Sequence, residues 1–558
     1  MYKQVLDPVS NSLGLSSIFA AIPIVVLFLL LGGLKMKAHW ASLIALATAI
    51  IIALAVYSMP VGQALDAGLE GAVFGIFPIM WIVFVALWIY NMTVDTGYFA
   101  VLRRAFNRVS DDQRVQAVII AFAFGALLEA LAGFGTPVAI TASMLIGLGF
   151  KPIKAASIAL VSNTAPVAFG AIAIPIVTLS QITGLPKDDL GAMVGRQTPL
   201  LALVVPLILI GMVDGMRGIR QAWPVAIVGG LAFAVGQFAC SNYISVELTD
   251  IVASLLSAGA IVALVQVWSP SEPLRGEFKS GARPAIAGAA VADATHEAEV
   301  RRKEGNGRDS TAEVFRAFAP YLLIIVVFAL SQWSPIKDFL DARTKAFDWP
   351  GIDILNAKGK APSSVTFKFN WANAAGTLLL VAGLLSMLVL RVNPGRALRV
   401  FGRTLYELRW ATLTVATVLA LAYVMNLSGQ TITLGTWIAG AGGALGFLSG
   451  IIGWLGVAVT GSDTSSNSLF GTLQVAAAQK AGYSPTLLAA ANSSGGVLGK
   501  MISPQNLAIG AAAVGMGGQE GVLFRKVIGW SILLVLIMCV IVYLQSTSVL
   551  DWMVIGKK

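Results

Sequence analysis

Apolar runs of about 20 residues recur along most of this chain, and each is long enough to cross the hydrocarbon core of a bilayer. They fall at roughly 13–33, 38–57, 71–92, 155–180, 195–213, 223–242, 250–268, 315–333, 371–391, 408–427, 486–515 and 527–547. Only 12% of the 558 residues are charged and 57% are hydrophobic, where an ordinary soluble domain carries roughly 25% charge. A membrane β-barrel would show short alternating segments instead. The expected fold is an all-α polytopic membrane protein of about 12 transmembrane helices.

Two more apolar stretches, about 115–149 and 448–481, are interrupted by glycine and small polar residues: Glu129-Ala-Leu-Ala-Gly-Phe-Gly-Thr-Pro137 in the first, Gly461-Ser-Asp-Thr-Ser-Ser-Asn-Ser-Leu-Phe-Gly-Thr472 in the second. Broken backbone is tolerated at membrane depth only where protein buries it or where it lines a wet cavity. These stretches read as two re-entrant hairpins. Each is followed by a span with its own interruption, Ser162-Asn-Thr-Ala-Pro166 and Asn492-Ser-Ser-Gly-Gly496.

The formal net charge is +10. Its carriers sit in short connections: Arg103, Arg104, Arg108 and Arg114; Arg217 and Arg220; Arg391, Arg396, Arg399, Arg403 and Arg409. Segments 58–70, 243–249 and 428–436 have no Lys or Arg. Basic short loops mark the cytoplasmic side, so the charge sets orientation and nucleic acid is not expected as a partner. Both termini then face outward, and the first span reads as an uncleaved helix. Cys240 and Cys539 form no CxxC, His39 and His296 belong to no ligand cluster, and no P-loop is present. Neither a cofactor nor a metal is expected, nor an enzyme's catalytic constellation.

An internal repeat organises the chain. Asn91 precedes Phe134-Gly-Thr by 43 positions, and Asn426 precedes Phe470-Gly-Thr by 44. Gly149-Phe-Lys-Pro152 corresponds to Gly482-Tyr-Ser-Pro485. Asn163, Gly170 and Pro175 have the same offsets as Asn492, Gly499 and Pro504. By the loop charges the third span runs inward and the tenth outward, so the copies form an inverted-topology repeat. Transporters built this way place their substrate where broken helices meet near the midplane. The chain divides into scaffold helices at 1–70, the first repeat at 71–213, and further scaffold helices at 214–404. That central region includes a cytoplasmic connector at 269–314 and an outer loop at 334–370. The second repeat occupies 405–547, with a tail at 548–558.

Half-helix N-termini present unsatisfied N–H groups and partial positive charge, a natural seat for a carboxylate. The side chains able to complete such a seat are Thr136, Asn163, Thr164, Ser462, Thr464, Ser465, Asn467, Asn492, Ser493, Ser494 and Gln505. The competing reading is that small polar residues only join helices together. Glu129 and Asp463 each lie in apolar sequence ahead of a Phe-Gly-Thr. Insertion of such a charge costs at least about 2.5–3.5 kcal/mol, so it commonly faces a cavity and serves function. Both are candidate proton carriers, with a structural pair or helix cap as the alternative. Lys500 is available to neutralise a substrate carboxylate or Asp463.

Residues 129–140, 163–171, Thr-Gly-Ser-Asp-Thr-Ser-Ser-Asn at 460–467 and Gly-Lys-Met-Ile-Ser-Pro-Gln at 499–505 closely resemble the bacterial L-lactate permease family. The resemblance covers nearly the whole chain. It implies a secondary transporter that imports L-lactate, D-lactate or glycolate with a proton across the inner membrane. A more distant similarity of Ser162-Asn163-Thr164 to sodium-coupled dicarboxylate carriers implies an elevator-type motion and leaves sodium open as the coupling ion. The expected partners are a small organic anion, a proton and the lipid bilayer. A homodimer is left open, and a channel is the alternative mode of transport.

Overall fold

A backbone without water around it must satisfy its own hydrogen bonds, and helices do this within one segment. The computed structural model describes residues 1–34, 36–133, 135–274, 309–331, 333–357, 359–362, 365–516 and 519–555. Within them, ten helices are long and apolar enough to cross a membrane, or eleven if Pro152–Ser162 and Val167–Thr183, bent by 65°, count as one span.

Two boundaries differ from the sequence reading. The third span begins ten residues earlier than expected, in a helical stretch Val61–Asp95 that breaks at Phe77. Its first part falls in the segment 58–70, which reads in the sequence as a connection without Lys or Arg. Gly68, Gly71 and Gly75 nonetheless let it lie directly on helix Pro394–Ser428, where a Cβ on Gly71 would stand 2.5 Å from the Leu419 carbonyl. The fifth and sixth spans form one helical run, Thr198–Tyr243, interrupted at Asp214 and Gly215. The outer loop carries helix Ser334–Asp341 and the strand pair Lys345–Asp348 with Thr366–Phe369.

Contacts at the ends of helices sort the connections onto two faces. Tyr2–Lys3 pairs with Ile354–Leu355, and the Tyr2 hydroxyl donates to the carbonyls of Tyr57 and Ser428 at 3.0 and 2.9 Å. This is the face of the segments without Lys or Arg. Helix Pro394–Ser428, about 50 Å long at 1.5 Å per residue, leads to the opposite face. There Arg396 binds Asp95, and Arg114 binds Asp112 and Asp214. Arg104 also binds Asp309 there at 2.6 Å, and this hydrogen bond holds the Asp309 carboxyl below the usual carboxylate range. Most of the connector 269–314 and the tail residues Lys557 and Lys558 lie outside the described residues.

Candidate functional site

Both glycine-broken stretches form helix–break–helix elements. In the first, Gln113–Leu131 is followed by Thr136–Gly147 across a break containing Gly133 and Gly135. Both glycines adopt positive φ, +51° and +82°, which side-chain-bearing residues rarely take. In the second, Leu445–Thr460 and Asp463–Ala481 meet at Gly461, with φ +76°. The two elements enter from different faces. Gln113 at the base of the first donates to the Leu148 carbonyl beside the Arg114 cluster. The base of the second packs at Gly446 on Ser546, and Tyr483 reaches the Gly442 carbonyl.

Their tips arrive at one short helix, Pro504–Ala513. A Cβ on Gly135 would meet Ile509 at 2.3 Å and Asn506 at 3.5 Å. A Cβ on Gly461 would meet Gln505 at 2.6 Å. Both positions need glycine for their backbone angles, and the Ile509 and Gln505 side chains fill the space left by the missing Cβ.

The interrupted spans cross-connect the two halves. Pro485–Gly496 gives way to a short turn, Lys500–Ile502, before Pro504–Ala513. From that turn Lys500 reaches Glu129 on the first hairpin, with Nζ 2.6 Å from Oε1 and side chains 8% and 3% exposed. The other Glu129 oxygen has no hydrogen-bond partner. The carboxyl is wedged against Gly170, where an added Cβ would lie 2.8 Å from Oε1. Next to it, Ala171, Ile172 and Ala173 all have φ between +44° and +58°. Left-handed residues with side chains cost roughly 1–2 kcal/mol each; such strain persists where surroundings enforce it, and it gathers at functional sites.

A polar network fills the second half. Asp463 Oδ2 accepts from the Ser493 hydroxyl at 2.5 Å and from Asn467 at 3.5 Å. Asn467 Nδ2 also donates to the Pro175 carbonyl in the first half at 3.1 Å, and its oxygen accepts from Asn492 at 2.9 Å. Gln474 donates to Asn492 at 3.3 Å and accepts from Ser449 at 2.9 Å. Asp463, Asn467 and Gln474 are spaced four and seven residues apart, one helix face. That spacing was the signal for Gln474, which the sequence reading missed along with Ser449. Ser493→Ala would leave Asp463 with only its long contact to Asn467. We expect it to cost about 1–3 kcal/mol, the range for stripping a partner from a buried polar group, visible as a lower thermal midpoint that Ser493→Thr recovers.

The remaining candidates are distributed around these two centres. Ser462 caps Asp463–Ala481 by accepting from the Ser465 amide at 3.2 Å, with Thr464 half-buried on the same turn. Thr136 is half-buried at the start of its half-helix. Gln505 is exposed beside Gly461. Thr164 donates to the Val161 carbonyl within its own turn. The hydrogen bonds of the network do not extend to Asn163 or Ser494, whose side-chain polar atoms are buried without partners. Phe134 lies outside the described residues. Lys500, for which the sequence offered Asp463 or a substrate as partner, is paired with Glu129.

A cavity of about 420 Å³ lies apart from the tips, between Val177, Gln181 and Lys187 on one side and Lys337, Asn373 and Leu378 on the other. Its residues belong to the face that holds the N-terminus.

Residues 16–549 match the family profile described as L-lactate permease. The chain is 41% identical over 552 residues to the glycolate permease GlcA of Escherichia coli K12, covering 96% of each chain. It is also 41% identical over 567 residues to the L-lactate permease of the same strain, covering 99% of this chain and all of the relative. Among solved structures it is similar to Neisseria gonorrhoeae MtrF, at 15% identity and TM-score 0.45 over 88% of this chain and 84% of that one.

Proposed function

The chain belongs to the L-lactate permease family, and from that premise we propose that it imports L-lactate, D-lactate and glycolate together with protons. It is a multi-pass protein of the bacterial inner membrane. The proposed mode is secondary active transport by two inverted copies of a hairpin and a broken helix, with elevator-type movement of that unit against the scaffold.

The observation that carries this reading is the buried Lys500–Glu129 pair at the meeting point of the two hairpin tips. A 2-hydroxymonocarboxylate brings one negative charge and one hydroxyl. Helix starts at Thr136, Asp463 and Pro504 supply N–H groups and partial positive charge to the carboxylate. Thr136, Asn163, Thr164, Ser462, Thr464, Ser465, Asn467, Asn492, Ser493, Ser494 and Gln505 supply neutral donors and acceptors for the rest.

Coupling follows from charge accounting at Lys500. A substrate carboxylate that binds Lys500 takes it from Glu129. An unpaired carboxylate at membrane depth is costly, so Glu129 binds a proton as the anion arrives. Substrate and proton then cross together with no added net charge. Asp463, held by Ser493 and Asn467, is the other carboxyl able to serve.

In proteoliposomes, labelled lactate should accumulate above its own gradient when the outside is made acidic. Uptake driven by a sodium gradient with no proton influx would overturn proton coupling. Flux that never exceeds equilibration would favour a channel.

A further inference from the structure

One buried carboxyl that the scheme above does not use sits between its centre and the outer cavity. Asp250 lies in the first turn of helix Thr249–Val267 and is fully buried. Its Oδ1 accepts from Gln237 Nε2 at 2.8 Å, while Oδ2 has no partner. Gln237 is itself fully buried. Its amide nitrogen also reaches the Ala165 carbonyl at 3.4 Å, and its oxygen accepts from Thr198 at 3.1 Å. Ala165 belongs to the break between Pro152–Ser162 and Val167–Thr183. Gln237 therefore ties Asp250 to the interrupted backbone of the first broken helix.

Asp250 stands between two groups of polar side chains. Helix Thr249–Val267 packs on Gly125–Leu131, which carries Glu129, and the two carboxyls are within electrostatic reach of each other. On the other side lies the segment just before its helix, where the Thr249 hydroxyl holds the Ser245 carbonyl at 3.0 Å and the Ser245 hydroxyl donates to Glu247 at 2.9 Å. Glu247 is paired with Lys187, and all three of Ser245, Glu247 and Lys187 line the 420 Å³ cavity. Glu129 and Cys240 are the titratable groups facing Asp250, from Gly125–Leu131 and Thr198–Tyr243. Ala117–Phe124 and Gly170–Thr183, which also pack on its helix, carry none.

Asp250 is the second residue of its helix, past the N-cap Leu248, so its side chain is not the one that caps the first turn. One of its oxygens is held by a neighbouring helix and the other, fully buried, is bare. We propose that Asp250 is a second proton-binding carboxyl, passing protons between the outer cavity and Glu129. A proton taken up on Oδ2 is given to the Glu129 carboxylate, and Asp250 returns to its ionised state; only O–H bonds form and break. This rests on the proton-coupled reading above.

The test compares wild type with Asp250→Asn in proteoliposomes. The variant should still exchange labelled for unlabelled lactate at equal pH on both sides. Its accumulation under an acid-outside gradient should fall to the level reached without a gradient. Accumulation equal to wild type would overturn the inference and leave proton coupling intact. If wild type itself does not accumulate lactate under the gradient, the coupling reading fails instead. Should Asp250→Asn fold poorly, Asp250→Glu replaces it. That variant keeps the acid on a longer arm, so it should accumulate lactate with a displaced pH midpoint. A pH profile identical to wild type sinks the proposal.

Discussion

Lys500→Met should abolish lactate uptake and destabilise the protein by about 3–5 kcal/mol, the cost of removing one partner from a buried ion pair. Adding Glu129→Gln should restore most of the stability and none of the uptake. The asymmetry comes from what each change leaves behind. With Lys500 gone, the Glu129 carboxyl is 3% exposed, without its partner at Oε1 or any at Oε2, and packed against Gly170, so it must stay charged unpaired or hold a proton permanently. It cannot swing to water. The double variant leaves a neutral amide of the same shape, which is far cheaper to bury. Stability alone does not explain such a pair, since apolar side chains of similar volume often hold a fold as well or better. Thermal midpoints and uptake rates of both variants decide the matter. Equal midpoints for single and double variants would show that the lysine carries no burden of pairing, and uptake by either would remove Lys500 from the transport site.

The parts of this architecture that were legible in the sequence are those encoded locally. Gly133, Gly135 and Gly461 marked the breaks because their backbone angles exclude most other residues. Asn492 and Ser493 marked the polar network because a polar cluster in apolar sequence must find partners. What the sequence did not disclose are partnerships across great chain distances. Lys500 and Glu129 are 371 positions apart, and no spacing rule selects Glu129 over Asp463 as the partner. The link from Asn467 to the Pro175 carbonyl, 292 positions away, is equally hidden. Glu70 shows the opposite failure. It falls in the segment 58–70 read as a connection, yet it is 1% exposed with neither oxygen bonded, because Gly68, Gly71 and Gly75 draw its helix onto a neighbour.

Gly453→Ala and Gly495→Ala should each sharply lower the folded yield and the thermal midpoint. Helices Leu445–Thr460 and Pro485–Gly496 cross backbone to backbone. A Cβ on Gly453 would stand 1.9 Å from the Asn492 carbonyl oxygen, and one on Gly495 would stand 2.2 Å from that of Gly450. Gly499 repeats the pattern at 2.3 Å from the Trp454 carbonyl oxygen. Small residues at such crossings are how membrane helices approach closely enough for dispersion to hold them. Side chains can rotate away from an intruding methyl group, but carbonyls of a helix cannot, so the helices must part. Overpacking of a dense interior costs typically about 1–3 kcal/mol and occasionally more, and the backbone contacts place these sites at the upper end. Parting the helices also pulls the Ser449 hydroxyl from the Leu488 carbonyl, 3.2 Å away, so a tie of the polar network is lost together with the packing. Gly529→Ala in helix Glu520–Gln545 is the control, since nothing lies within 4 Å of a Cβ there. It should be neutral, or stabilising by about 0.5–1 kcal/mol from helix propensity. Folded yield and thermal midpoint in detergent separate the cases, and a Gly453→Ala protein that folds and melts like wild type would mean that the two helices do not cross this closely.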